Sequence, residues 1–311
     1  MSSVRAEAGH PVVEWQTIAL AAVIYGGWLA LTWFHAALPW WVLLPAGAVV
    51  IAWHGSLQHE AIHGHPTCWR RVNQALVMPP LALWLPFSFY RLSHLQHHRD
   101  ARLTDPFDDP ESYYWTEQLW RDLGAPGRRL VRAQATLLGR LLIGPAWTIG
   151  RFFWLEAKAM AQGDFRHARM WAAHAVADAL VLVWVIGVCR MSLLGYIAFF
   201  VYPGTALSLV RSYAEHRAAD DVGRRTAIVE NAGFFSLLFL FNNLHVAHHV
   251  RPDIPWYRLP RWYARHRATL VARNGGLVYR GYAEVFRRYL LHPHDAPLHP
   301  AVRAPIARTG G

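Results

Sequence analysis

Four apolar runs, each about a bilayer thick, constrain this chain more than any other feature. The first covers residues 17–38 (TIALAAVIYGGWLALTWFHAAL) and the second 41–60 (WVLLPAGAVVIAWHGSLQHE), with a short turn around Pro39 between them. The third and fourth, 170–188 and 192–210, are almost as close together. A helix of about 20 apolar residues crosses the hydrocarbon core. Inside lipid the backbone must satisfy its own hydrogen bonds, which selects helix for such runs. The chain therefore reads as all-α and integral to a membrane, with four transmembrane helices in two hairpins. Its composition agrees: it is 54% hydrophobic with 16 Trp, too apolar for an ordinary soluble domain. Residues 1–16 include Glu7 and Glu14 and lack the short apolar core and cleavage site of a signal peptide, so the first run is expected to stay as an anchor.

With four spans, residues 1–16, 61–169 and 211–311 share one side. Those segments hold most of the arginines in a chain of net charge +11, in which Lys158 is the only lysine. The positive-inside rule makes that side the cytoplasm. The charge also suits contact with anionic lipid, and no RNA-binding signature or basic helix points to nucleic acid. Cys68 and Cys189 then face opposite sides and form neither a disulfide nor a metal cluster. Two more apolar stretches, 76–90 and 135–157, are expected as interfacial or re-entrant helices. Pro79, Pro80 and Pro86 break the first. Arg140 and Arg151 in the second would each cost about 2.5–3.5 kcal/mol near the bilayer centre. Residues 1–255 are expected as one membrane domain and 256–311 as a basic cytoplasmic segment. Its last twenty residues, HPHDAPLHPAVRAPIARTGG, read as disordered.

Nine of the 19 histidines fall in four places on the predicted cytoplasmic side. His59 and His63 form H-x-x-x-H at the end of the second span. "HLQHH" supplies His94, His97 and His98, "HVAHH" supplies His245, His248 and His249, and His216 stands in "RSYAEHRA". On a helix, positions i, i+3 and i+4 share a face, so each H-x-x-H-H is expected to present three imidazoles to one point. Imidazole suits iron, zinc, copper and nickel. The three boxes hold too many ligands for one zinc ion, which takes four; they suit two transition-metal ions. His59-Glu60-x-x-His63 also matches the zinc metalloprotease signature, which keeps an intramembrane protease as a rival, and a non-catalytic metal-binding protein is a third reading. His54 and His65 flank the first box and are expected in structural or ligand-orienting roles. The isolated histidines, among them His10, His35 and His174, read as ordinary core or surface residues.

The order H-x-x-x-H, H-x-x-H-H, H-x-x-H-H, with a membrane hairpin before the last box, resembles the membrane fatty acid desaturase/hydroxylase superfamily. The surrounding text, "HEAIHGHP", "YRLSHLQHHRD", "LTDPFDDPESYYW" and "NNLHVAHHVRPDIPWYRLP", is most similar to its bacterial branch, over roughly residues 50–255. The resemblance implies a cytosolic helical cap over the four spans, in a bacterial inner membrane, carrying a non-haem di-iron site. By that resemblance His59, His63, His94, His97, His98, His245, His248 and His249 are iron ligands, and His216 matches a ninth ligand of the acyl-CoA members. Those members place a water-bridging asparagine one turn before it, where Ser212 stands here. Glu60 becomes an orienting or structural residue rather than a protease base, and Asp100, Asp105, Asp108, Asp109, Glu215, Asn242 and Asn243 are further candidates to orient ligands.

The implied activity is O2-dependent oxidation of an unactivated C–H bond. Desaturation of a fatty acyl or similarly apolar substrate leads, with hydroxylase, ketolase or oxidative decarboxylase chemistry on the same site as the alternative. No His-Pro-Gly-Gly haem loop occurs in the chain, so a separate electron donor, a ferredoxin or cytochrome, is expected. Arg99, Arg102, Arg211, Arg217, Arg224 and Arg225 offer a basic face for it. Trp53, Trp84, Phe87, Phe89, Phe234 and Phe235 are candidates to line a tunnel for the apolar substrate.

Overall fold

The computed structural model describes residues 12–300. Two helical hairpins form the bundle: α1 (Trp15–Trp33) with α2 (Trp40–Ile62), and α9 (Ala168–Val188) with α10 (Leu193–Glu215). All four are long and apolar enough to cross a membrane, as expected. Their ends differ from the apolar runs for local reasons. The first helix stops at Trp33, where the Thr32 carbonyl accepts a hydrogen bond from His35 Nδ1 (2.8 Å) and Pro39 then opens α2. The fourth runs on to Glu215, because Arg211 and Glu215 pair one turn apart (2.8 Å) and satisfy each other's charge.

The pair α2 and α10 packs most extensively, and glycine permits it. A Cβ on Gly204 would lie 2.4 Å from Ile51 Cβ, and one on Gly47 would lie 2.4 Å from the Phe199 carbonyl oxygen. Small residues let helix backbones approach where lipid supplies no hydrophobic drive for association. Leu57, Ile24, Val185 and Phe200 fill the space between the spans. Two indoles cross-link them: Trp28 Nε1 donates to Tyr196 Oη and Trp184 Nε1 to Thr32 Oγ1, each at 2.9 Å.

The remaining helices sit at one end of this bundle. Between the hairpins come α3 (Arg70–Val77), α4 (Phe87–His97), α5 (Glu117–Asp122), α6 (Ala125–Gln134), α7 (Leu137–Leu142) and α8 (Gly144–Ala161). After α10 come α11 (Phe234–Leu238), α12 (His245–Val250), α13 (Leu259–Arg273) and α14 (Tyr282–Tyr289). Two short parallel strands, β1 (Ile228–Val229) and β2 (Val278–Tyr279), tie the C-terminal segment to the stretch that follows α10. Trp256 ties it to the spans: its backbone N–H donates to Glu60 Oε2 and its indole to Thr17 Oγ1, both at 3.1 Å.

Three expectations need correction. The stretch 76–90 is not one helix. Residues 78–86 are irregular between α3 and α4, because three prolines deny the backbone its helical donors. The stretch 135–157 is two helices that meet at Gly144 rather than one, and Arg140 is buried. Its guanidinium lies over the Tyr113 ring (4.4 Å) and its Nε donates to the Gln134 carbonyl (3.2 Å). Within residues 292–300, expected as part of a disordered tail, His294, Pro297 and His299 are held by distant partners. His299 is buried with its Nε2 3.0 Å from Thr104 Oγ1, His294 bonds Tyr279 (2.7 Å), and the Pro297 carbonyl accepts from Trp115 N–H (2.8 Å). The rest of that tail, and His10, lie outside the described residues.

The glycine contacts give a direct test. Gly204→Ala should destabilise the protein by about 1–3 kcal/mol through overpacking against Ile51. Gly26→Ala, where a Cβ would meet nothing within 4 Å, should leave the thermal unfolding midpoint in detergent equal or slightly raised, since alanine favours the helix.

Candidate metal centre

The histidines sit where helices end. His59 is on the last turn of α2 and His63 follows that helix; His94 and His97 are on the last turn of α4 and His98 follows it; His216 follows α10. The short α12 carries the other three. All nine converge, in two sets whose ligand atoms lie within 4.8 Å of one another. One set is His59, His63, His94, His98 and His248; the other is His97, His216, His245 and His249.

This division corrects the expectation that each H-x-x-H-H aims at one point. In each box the i and i+4 residues stay together and the i+3 residue crosses over. His94 and His98 join one set while His97 joins the other; His245 and His249 join one while His248 joins the other. At about 100° per residue, positions i+3 and i+4 diverge by that angle around the helix, which serves two centres better than one. Each box thus braces both sets.

The outer nitrogens of several rings are fixed by acceptors. His94 Nδ1 donates to Glu111 Oε1 (2.8 Å) and His97 Nδ1 to Asp109 Oδ1 (2.9 Å). His245 Nδ1 lies 3.1 Å from Glu215 Oε1 and 3.2 Å from Asn242 Oδ1, and His216 Nδ1 lies 3.3 Å from the Arg225 carbonyl. An acceptor on Nδ1 puts the proton there and leaves the Nε2 lone pair facing inward. The inward nitrogens then meet: His245 and His216 Nε2 are 2.9 Å apart, His98 and His94 Nε2 3.0 Å, His94 and His63 Nε2 3.1 Å. For His245 and His216, both with the proton on Nδ1, two lone pairs face each other at hydrogen-bond distance with no proton between them. A cation at the centre of that set resolves the repulsion, and the other set gathers five ligand nitrogens in the same way, so the residues fit two metal ions.

Electrostatics agree with this donor set at six rings and run against it at His97. Burial first, and for most of them the neighbouring imidazoles, hold His63, His94, His98, His216, His245 and His248 below the ordinary histidine range, the neutral form a metal requires. At His97 burial also opposes charge, but the Glu111 and Asp109 carboxylates outweigh it and raise the value to about 9. His97 and His94 hold the Glu111 carboxyl well below its usual range against the effect of burial.

Other expected residues fall in different places. Glu60 accepts from Trp256 N–H and belongs to neither set, while His59 and His63 share one. His65 Nδ1 donates to buried Glu14 (2.6 Å), and His54 lies 3.2 Å from Tyr25 Oη. Asn243 donates to the Val229 carbonyl, Asp105 caps the turn at Phe107, and Asp108 pairs with Arg102. The side chain of Asp100 is outside the described set. The expected basic face loses two members. Arg211 pairs with Glu215 in the interior, and Arg225 is buried with its guanidinium on the carbonyls of Ala219 and Leu103. Glu111 is the residue that sequence reasoning missed; its signal was an acidic residue two places beyond Asp109 in DDPES.

A cavity of about 120 Å³ lies one to two turns back along α2 and α10 from their histidine-bearing ends. Ile51, Trp84, Leu85 and Phe239 give it apolar walls; Tyr90 and Arg211 give it a polar side. Trp84 is the one expected tunnel residue in that lining; Trp53, Phe87, Phe89, Phe234 and Phe235 are not part of it.

Loss of the Glu111 carboxylate should lower affinity for a divalent metal by about 10–100-fold, the usual effect of removing a ligand-orienting acceptor. Glu111→Gln, which keeps an acceptor oxygen, should lose less. Metal content per chain after equilibrium dialysis measures both.

Residues 31–282 match the fatty acid desaturase family. The chain is similar to a beta-carotene ketolase from Paracoccus sp., with 27% identity over 275 residues, covering 81% of this chain and 96% of that protein. It is similar also to an sn-1 oleoyl-lipid 12-desaturase from Arthrospira platensis, with 24% identity over 274 residues, covering 79% of this chain and 73% of the relative.

Proposed function

This chain belongs to the fatty acid desaturase family, and we propose that it is the O2-dependent, di-iron member of that family's membrane oxidoreductases whose apolar substrate comes from the bilayer. The observation that carries this reading is the gathering of nine imidazoles into two sets with inward lone pairs. His59, His63, His94, His98 and His248 would hold one iron; His97, His216, His245 and His249 would hold the other. Iron bound there would supply the redox chemistry by which O2 and two external electrons oxidise a C–H bond.

The chain's own residues do the rest. Glu111, Asp109, Glu215 and Asn242 keep protons on the outer ring nitrogens, so the inner nitrogens stay free to bind metal. The cavity between α2 and α10 brings an apolar group near the His59 end of α2, and small shifts in that placement decide which hydrogen is removed. Removal of two hydrogens from an acyl-type chain, giving a double bond, is the leading outcome. Oxygen insertion is the second reading, favoured by the ketolase relative, which this chain matches over 96% of its length. The arginine-rich end of the bundle supports a cytoplasmic site in a bacterial inner membrane. Exposed arginines such as Arg99 and Arg217 support docking of an acidic ferredoxin or a cytochrome as separate donor.

Metal analysis tests the reading. The purified protein should hold about two irons per chain, given a donor set too large for a single ion. His97→Ala and His98→Ala, neighbours in sequence, should each lose a different one. Zinc alone, or full iron in both variants, would contradict it. Incubation with isotopically heavy O2, a reductant and membrane lipid then separates the two outcomes: a desaturated product gains no label, and an oxygenated one does.

A further inference from the structure

Between Trp171 and Val188 the third span is apolar except at His174 and Asp178. An ionisable residue within a membrane span is costly and marks a functional role more often than not. These two belong to neither histidine set. His174 is buried, and its Nε2 lies 2.8 Å from the Leu83 carbonyl and 3.3 Å from Asp178 Oδ2. Both partners accept, so Nε2 carries the proton. The second Asp178 oxygen, Oδ1, is buried with no hydrogen-bond partner among the described residues.

The residue they grip lies in the irregular stretch between α3 and α4. Leu83 has φ +64°, a left-handed conformation that a branched side chain adopts only under constraint. That constraint is supplied from all four spans. Tyr25 of α1 donates to the Leu76 carbonyl (2.6 Å), and Gln58 of α2 to that of Val77 (3.3 Å). Tyr196 of α10 donates to the Leu81 carbonyl (2.6 Å), and His174 of α9 to that of Leu83. Pro80, Ala82, Trp84 and Leu85 from this stretch form one wall of the cavity. One polar side chain from each span therefore reaches the backbone of residues 76–83, and the end of that stretch forms part of the cavity wall.

We propose that His174, steadied by Asp178, is a specificity-determining positioning residue that pins Leu83 so that residues 80–85 form the bilayer-side wall of a binding site for a hydrocarbon chain or ring entering sideways from lipid. The proposal rests on the reading that this cavity takes the substrate. His174 and Asp178 touch neither the reacting carbon nor the metal ligands; they set the shape of the wall and so which apolar groups fit. Releasing the Leu83 carbonyl frees a stretch held in a strained conformation and widens the entrance.

The test uses the full-length protein in phosphatidylcholine vesicles, with an acyl-chain diazirine phosphatidylcholine as photoprobe and peptide mapping as readout. In the wild type, label should appear on segments 51–58 and 80–90. His174→Ala should reduce label at 80–85 several-fold with iron content unchanged. His174→Gln, whose amide can donate to the same carbonyl, should restore it. In turnover, His174→Ala should lower kcat/KM about tenfold, as expected for one lost buried hydrogen bond, mostly through KM. Asp178→Ala, which leaves the ring in place but unsteadied, provides the same comparison should His174→Ala not fold. Wild-type-like labelling and KM in both variants would overturn the role of His174, and so would loss of iron together with label. Absence of label from the cavity of the wild type would overturn the cavity as the substrate site, a separate failure that leaves the metal centre untouched.

Discussion

The structure depends on one constraint: at His245 and His216, two buried imidazole nitrogens with lone pairs facing each other 2.9 Å apart, which a cation between them relieves. Carboxylates and an asparagine behind the rings create that constraint by claiming the outer protons. Glu111 and Asp109 come from the loop after α4, Glu215 from the last turn of α10, and Asn242 from the turn before α12. No single helix could build such a centre, because its members must arrive from four chain segments with their outer partners in place.

Convergence from four segments demands a rigid base. The first box can reach the others only if the ends of α2 and α10 are held at a fixed spacing, and Gly47 and Gly204 allow that spacing by admitting the opposite helix to backbone contact. The third box is fixed from the other side, where Trp256 grips Glu60, one residue from His59. A glutamate that in isolation suggests a protease base is thus part of the scaffold that sets the register between the first box and the third. Tyr25, Gln58, His174 and Tyr196, one from each span, likewise reach the backbone of residues 76–83 rather than the metal centre.

Much of this was legible in the sequence, because hydropathy and histidine spacing are direct physical signals. The four spans, their pairing and the nine histidines on one side all follow from run length and i, i+3, i+4 geometry. The splitting of each H-x-x-H-H between two sets did not, since it depends on how α4 and α12 face each other across the centre. Glu111 was hidden because turn-forming and ligand-orienting acids look alike in TDPFDDPES. Arg211, Arg225 and Arg140 were misjudged as surface or interfacial charges, because composition does not reveal that Glu215, backbone carbonyls and the Tyr113 ring await them. The tail from His292 looked unstructured by its prolines, yet Thr104 and Tyr279 supply partners for its histidines from distant segments.

The proposed centre has a ligand shell of imidazole alone, with carboxylates one step behind. The most direct measurement of that claim is X-ray absorption at the iron edge of the loaded protein, with multiple scattering used to count imidazole rings. The account predicts a first shell dominated by histidine nitrogen at both irons, with imidazole scattering lost in part when His216 or His245 is replaced. A shell dominated by carboxylate oxygen, with Glu111 or Glu215 bound directly to iron, would contradict it.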